Sequence, residues 1–232
     1  MKRVKVYVIA GTMCNEKIWL AVKAHLGPNI ELKHLVLPKN KSFDEMCVHL
    51  NKSIPEQKIN LLGFSLGGYV AAYFSVLFPS KVSKLFIVSN SPTTLPETER
   101  QQRRQVLAFI ERFGYSGLSP KMAKSLLDAT SQQAELIELL QAMDRDQGVE
   151  ELISQYTYTS QRSCLKARLR ALQIPILFWF SHTDSLIDRQ WFLTGIEGAF
   201  VNIIIEKGQG HMLPIEKPKT FARLIEEWLL KS

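Results

Sequence analysis

Apolar positions follow two rhythms along the chain. Val4 to Ile9 is a near-continuous apolar run rich in β-branched residues, which predicts a strand buried on both faces. Runs at Leu32–Leu37, Ile59–Leu62, Leu85–Val88, Pro175–Phe180 and Val201–Ile205 predict five more. Between them the apolar residues adopt helical spacing. Glu16–Leu26 is expected to be a helix with Ile18 and Leu26 on one face, ended by Gly27-Pro28. Ser42 with Glu45 three residues on predicts a capping box. Leu66–Phe78 reads as a helix stopped by Pro79, and Pro218–Leu230 turns Phe221, Leu224, Ile225 and Trp228 inward.

Strands alternating with helices predict an α/β fold with a parallel sheet of about six strands. The rhythm changes after the fourth strand. From about Pro96 to Leu172 only helical spacing is found, with candidates at Arg103–Phe113, Pro120–Asp128, Gln132–Met143 and Val149–Tyr158. The expectation is one domain over residues 1–232, with a helical cap insertion at about 92–172. Such an insertion would emerge at the carboxyl ends of the strands, where ligands bind in open parallel sheets, and would cover the site.

Candidate chemistry sits at three of those ends. The third strand runs into Gly63-Phe64-Ser65-Leu66-Gly67, a G-x-S-x-G pattern followed by a small-residue helix. A serine hydroxyl is a poor nucleophile unless it stands clear of its surroundings, near a base and near donors for a developing oxyanion. A sharp strand-to-helix turn provides that exposure, and glycines on both sides keep Cβ atoms out of the crowded turn. The fifth strand leads to Ser181-His182-Thr183-Asp184, and the sixth to Gly208-Gln209-Gly210-His211. Ser65 as nucleophile, His211 as base and Asp184 as the group that orients the imidazole make a complete set in the order Ser, Asp, His. Asp188 is a rival carboxylate that could cap the next helix. His182 points away from Asp184 if strand alternation persists. His25, His34 and His49 lack partner motifs and read as structural or solvent-facing.

Composition narrows the picture. The chain has 232 residues, 46% hydrophobic, with room for one sizeable core. No apolar run is long enough to span a bilayer, and Val4–Ile9 is too short for a signal peptide. Cys14, Cys47 and Cys164 are few and scattered, which argues for packing roles and a reducing, cytoplasmic setting. No metal-ligand spacing occurs, and neither a metal nor another cofactor is expected. The formal net charge is +7, with basic clusters at Lys2–Lys5, Arg100–Arg104 and Arg162–Arg170. No aromatic-interleaved basic motif accompanies them, so nucleic acid is not expected as a partner. The same field could steer an acidic carrier protein, with Arg103, Arg104, Arg168 and Arg170 as candidate contacts.

The chain resembles the α/β-hydrolase superfamily, in the small capped serine hydrolase branch that includes esterases. Three motifs carry the resemblance: Gly63-Phe64-Ser65-Leu66-Gly67-Gly68, Asp184 in Ser-His-Thr-Asp-Ser-Leu-Ile, and Gly210-His211-Met212-Leu213-Pro214-Ile215-Glu216-Lys217-Pro218. Pimeloyl-carrier methyl ester esterases, menaquinone-pathway lyases and carbon–carbon bond hydrolases of this superfamily are comparable. The resemblance implies a serine hydrolase acting on a carboxylic ester or thioester through an acyl-enzyme. Its oxyanion hole would use the backbone N–H of Leu66 and one from the loop after the first strand, Thr12 ahead of Met13, each donor contributing about 3–4 kcal/mol. Met13, Phe64, Met212 and Leu213 would shape the pocket for a small-molecule acyl ester. Ala10 stands where the family often has histidine, and two N-terminal strands common in the family are absent. Relatives that attack alkyl carbon use aspartate at the position of Ser65, so serine favours acyl transfer. The same triad is compatible with lyase or carbon–carbon cleavage chemistry, and with a ligand-binding receptor that turns over little.

Overall fold

The computed structural model describes residues 3–131 and 133–230. The strands are β1 (Val4–Ile9), β2 (Ile30–Leu35), β3 (Ile59–Phe64), β4 (Val82–Val88), β5 (Ile176–Ser181) and β6 (Val201–Glu206). The helices are α1 (Leu20–Lys23), α2 (Phe43–Ser53), α3 (Leu66–Leu77), α4 (Glu97–Phe113), α5 (Pro120–Ser125), α6 (Ala134–Thr159), α7 (Lys166–Arg170), α8 (Arg189–Leu193), α9 (Leu213–Glu216) and α10 (Pro218–Leu230). The six strands form one parallel sheet in the order β2-β1-β3-β4-β5-β6.

Central strands send alternate side chains to two separate apolar layers. From β3, Ile59 and Leu61 enter the layer built with α2, α3, α7 and α8, while Leu62 and Phe64 enter the layer built with α10. Phe178 and Phe180 of β5 join the first layer, and Leu177 and Trp179 join the second. Both faces of these strands are covered, which is why their sequences read as unbroken apolar runs. On α10, Phe221, Leu224, Ile225 and Trp228 are buried, as the spacing predicts.

Several boundaries differ from the sequence reading. The segment expected to be one helix over Glu16–Leu26 is a 3-10 turn at Glu16–Trp19 continued by the short α1. Asn15 caps it, its side chain accepting from Lys17 N–H. The capping box of Ser42 and Glu45 is present at α2. Between β4 and β5 the chain passes through α4 to α7 without a strand among the described residues. The two helices expected at Gln132–Met143 and Val149–Tyr158 are the halves of α6, joined at the non-helical Gly148 (φ 73°); Gln132 lies outside the described residues. No described helix is long and apolar enough to cross a membrane.

The chain leaves β1 toward β2, then recrosses β1 to place β3 on the other side. The loops after β1 and β3 therefore diverge at the point where strand order reverses. That is where open parallel sheets form a crevice.

Candidate active site

Ser65 sits in this crevice, between β3 and α3. Its backbone has φ 52° and ψ −121°, outside the regions normal for a residue with a side chain. The turn is held by a hydrogen bond from Ser65 N–H to Val88 O (2.9 Å) and by Gly68 N–H to Ser65 O (2.8 Å). It is also very tight. A Cβ on Gly63 would run into the carbonyl of Gly67, and one on Gly67 into the carbonyl of Ile9. Glycine at both positions lets β3, α3 and the end of β1 close on one another.

His211 and Asp184 meet this serine. His211 Nε2 lies 2.9 Å from Ser65 Oγ, and Nδ1 lies 2.7 Å from Asp184 Oδ2. Asp184 is 3% exposed and His211 6%, so their hydrogen bond is shielded from water. The second oxygen of Asp184 accepts from Leu186 N–H at 2.9 Å. The three side chains come from the ends of β3, β5 and β6 on one rim of the sheet, with β4 between the first two.

The other carboxylate and imidazoles fall outside this set. Asp188 accepts from Trp191 N–H and caps α8. His182 is exposed and lies 3.2 Å from an Arg189 nitrogen. His34 accepts from the Trp19 indole, and His25 and His49 are exposed. Cys14 and Cys47 are buried, but Cys164 is exposed, with the Trp191 indole donating to its sulfur, so a packing role does not describe it. Among the described residues no group of three His, Cys, Asp or Glu side chains is placed to hold a metal ion.

The loop after β1 lies against the serine: a Cβ on Gly11 would come within 2.9 Å of Ser65 Cβ. Leu66 N–H and Thr12 N–H donate to no partner among the described residues, whereas Met13 N–H donates to Gln155 Oε1 at 3.0 Å. Met13 has φ 55°, and the Gln155 contact anchors that bend. Phe64, Met212 and Leu213 are buried in the core layer beneath the site. Phe64 packs its ring against His211, with centroids 5.5 Å apart.

Residues that sequence reasoning missed hold the histidine loop. His211 N–H donates to Leu126 O (2.9 Å), Gln209 N–H to Asp128 Oδ2 (2.8 Å), and Asp128 N–H to Glu216 Oε1 (2.6 Å). Gly208 and Gly210 make space for two carboxylates, since a Cβ on Gly208 would come within 2.5 Å of Asp128 Oδ2 and one on Gly210 would strike Glu216. The N–H donors of Gln209 and Thr130 hold the Asp128 carboxyl down at about 2. Burial pushes the Glu216 carboxyl up. Asp128 and Glu216 lie 88 residues apart, and nothing local marks them as partners.

The basic residues considered as carrier contacts are unequally free. Arg103 is drawn inward by Glu99 (2.8 Å) and Thr159, whereas Arg104 is exposed and paired with Glu97. Arg168 donates to Val76 O and lies over the Tyr73 ring, and Arg170 is exposed on α7.

Residues 40–131 match the family described as alpha/beta hydrolase fold. Over 98% of its length the chain superimposes on a thermophilic esterase from Thermogutta terrifontis, covering 90% of that protein, with TM-score 0.82 and 21% identity. The chain has the α/β-hydrolase fold. The same fold is seen in the enol-lactonase from Burkholderia xenovorans LB400, with TM-score 0.81 and 12% identity, covering 100% of this chain and 93% of that one. In sequence, the chain is 28% identical over 123 residues to the pimeloyl-[acyl-carrier protein] methyl ester esterase of Salmonella heidelberg. That match covers 50% of this chain and 42% of the relative, so it spans less than half the length of the relative.

Proposed function

We propose that the protein is a serine hydrolase that cleaves a carboxylic ester or thioester through an acyl-enzyme. The observation that carries this reading is the continuous relay from Ser65 Oγ through His211 to Asp184. Ser65 Oγ attacks the acyl carbonyl as its proton passes to His211 Nε2. Asp184 fixes the imidazole tautomer and stabilises the imidazolium that forms. The oxyanion accepts from the N–H groups of Leu66 and Thr12. As the intermediate collapses, His211 returns the proton to the leaving alcohol or thiol. Water, activated by His211, then hydrolyses the acyl-enzyme.

Residues of about 92–172 act as the cap of a single domain. Gln155 reaches from α6 to the loop after β1, and Leu126 and Asp128 reach the histidine loop, which supports this role. The substrate is a small acyl ester, and the Salmonella relative named for a carrier-bound methyl ester supports presentation on an acidic carrier. Arg104, Arg168 and Arg170 are the exposed cations that would meet it, with Arg103 too enclosed to contribute directly. Three free thiols suit a cytoplasmic setting.

A fluorophosphonate probe tests the chemistry. The wild-type protein is expected to be labelled on Ser65, with labelling lost in Ser65→Ala and His211→Ala. Absence of labelling, or labelling that persists in Ser65→Ala, overturns the reading.

A further inference from the structure

Apart from the triad, a cavity of about 540 Å³ opens between α4 and the end of α6. Four guanidinium groups, from Arg100, Arg103, Arg104 and Arg162, line it against one carboxylate, Glu97. Glu97 is shared by Arg100 (2.6 Å) and Arg104 (2.7 Å), while Arg103 is held by Glu99. Two of the four positive charges thus remain without a carboxylate of their own.

Arg162 is the most exacting of the four. Among the described residues it forms no ion pair and no hydrogen bond, and its Nε is sealed from solvent without a partner. It lies over the face of Tyr69, 4.9 Å from guanidinium carbon to ring centroid, and Glu99, the partner of Arg103, acts on it through space. Burial, with Arg103 nearby, pulls its pKa down to about 10 from the ordinary arginine value, so it stays charged at neutral pH. Arg100 Nε is also enclosed and unpartnered. Both side chains are half-buried, and a guanidinium partly withdrawn from water with its Nε sealed and unpartnered is disfavoured, more so beside others of its sign. An incoming anion relieves both costs.

We infer that this cavity binds a phosphoryl group, free or carried by a small molecule, seated against Arg162 and Arg100. A phosphate monoester carries close to two negative charges at neutral pH, which matches the two uncompensated cations, whereas a carboxylate leaves one unmatched. Guanidinium forks donate in pairs to phosphate oxygens, and the hydroxyl of Thr157 adds a donor on the same wall. Tyr156 and Leu107 supply apolar wall for an organic body attached to the phosphate. Neither Ser65 nor His211 lines the cavity, so the site stands independently of the proposed ester chemistry.

Calorimetric titration of the full chain at fixed ionic strength tests this, with inorganic phosphate, phenyl phosphate and benzoate as probes. Saturable binding at one site per chain is expected, with the phosphate probes about tenfold or more tighter than benzoate. Tighter binding of phenyl phosphate assigns a phosphorylated organic ligand, and equal binding assigns free phosphate. Arg162→Gln and Arg100→Gln should each weaken phosphate binding by about tenfold or more. Arg223→Gln on α10 and Ser65→Ala should leave it unchanged. If Arg162→Gln does not fold, Arg100→Gln, on a partly exposed helix face, decides the matter. Unsaturable binding, equal affinity for benzoate and phosphate, or wild-type binding in the folded arginine variants overturns the proposal.

Discussion

Both oxygens of Asp184 are engaged, one with His211 Nδ1 and one with Leu186 N–H, in a pocket closed to water. Asp184→Asn preserves shape but removes the negative charge that stabilises an imidazolium. On the proposed mechanism it should lower kcat for p-nitrophenyl acetate by about 10⁴, with little change in urea midpoint. A kcat within tenfold of wild type would remove Asp184 from the mechanism. Asp188→Asn is the matched control: asparagine caps a helix as well as aspartate, so α8 and kcat should be unaffected. The separate fates of these two carboxylates were legible in the sequence, because one directly follows a strand and the other precedes a helical pattern. Gln155 was not legible. Its partner, Met13 N–H, is 142 residues away and belongs to a bend that no local pattern announces.

At the scale of elements, the meeting of β1, β3 and α3 sets the serine turn, and Gly67 is the position with least tolerance. Gly67→Ala places a methyl group against the Ile9 carbonyl, and backbone cannot swing aside as a side-chain end can. We expect a loss of about 3 kcal/mol or failure to accumulate folded protein, read by urea unfolding. Gly114→Ala, which meets nothing within 4 Å but has φ 82° and ψ 177°, should cost about 1–3 kcal/mol from backbone strain alone and still fold. A Gly67→Ala protein as stable as wild type would contradict the close approach. Most of the sheet was legible because its central strands are apolar on both faces. The failures came where polar side chains carry an element. β4 begins at Val82, ahead of the polar Ser83 and Lys84, and α4 begins at Glu97 instead of Arg103. The first turns of α4 have no apolar stripe; ion pairs of Glu97 with Arg100 and Arg104, and of Glu99 with Arg103, tie them together. Hydrophobic spacing is blind to that kind of support.

Across the whole molecule, the helical segment between β4 and β5 grips the two loops that flank Ser65. Gln155 holds the loop after β1, and the stretch from Leu126 to Asp128 holds the histidine loop by hydrogen bonds running in both directions. Movement of that segment must therefore disturb His211. Asp128→Asn tests the coupling. It exchanges a charged acceptor for a neutral one at Gln209 and Thr130, which should loosen the histidine loop and slow both ester turnover and probe labelling by about ten- to a hundredfold. The pH dependence gives a second reading. The clamp favours the ionised carboxylate, whose folded value of about 2 lies below the ordinary 3.8. Its stabilisation is therefore complete above about 3.8 and disappears as pH falls toward 2. Asp128→Asn lacks that contribution at every pH. The urea midpoint of wild type should exceed that of the variant at neutral pH, and the gap should begin to close only below about pH 4. A gap that stays constant down to pH 3, or turnover unchanged in the variant, would show that the histidine loop keeps its position without the clamp.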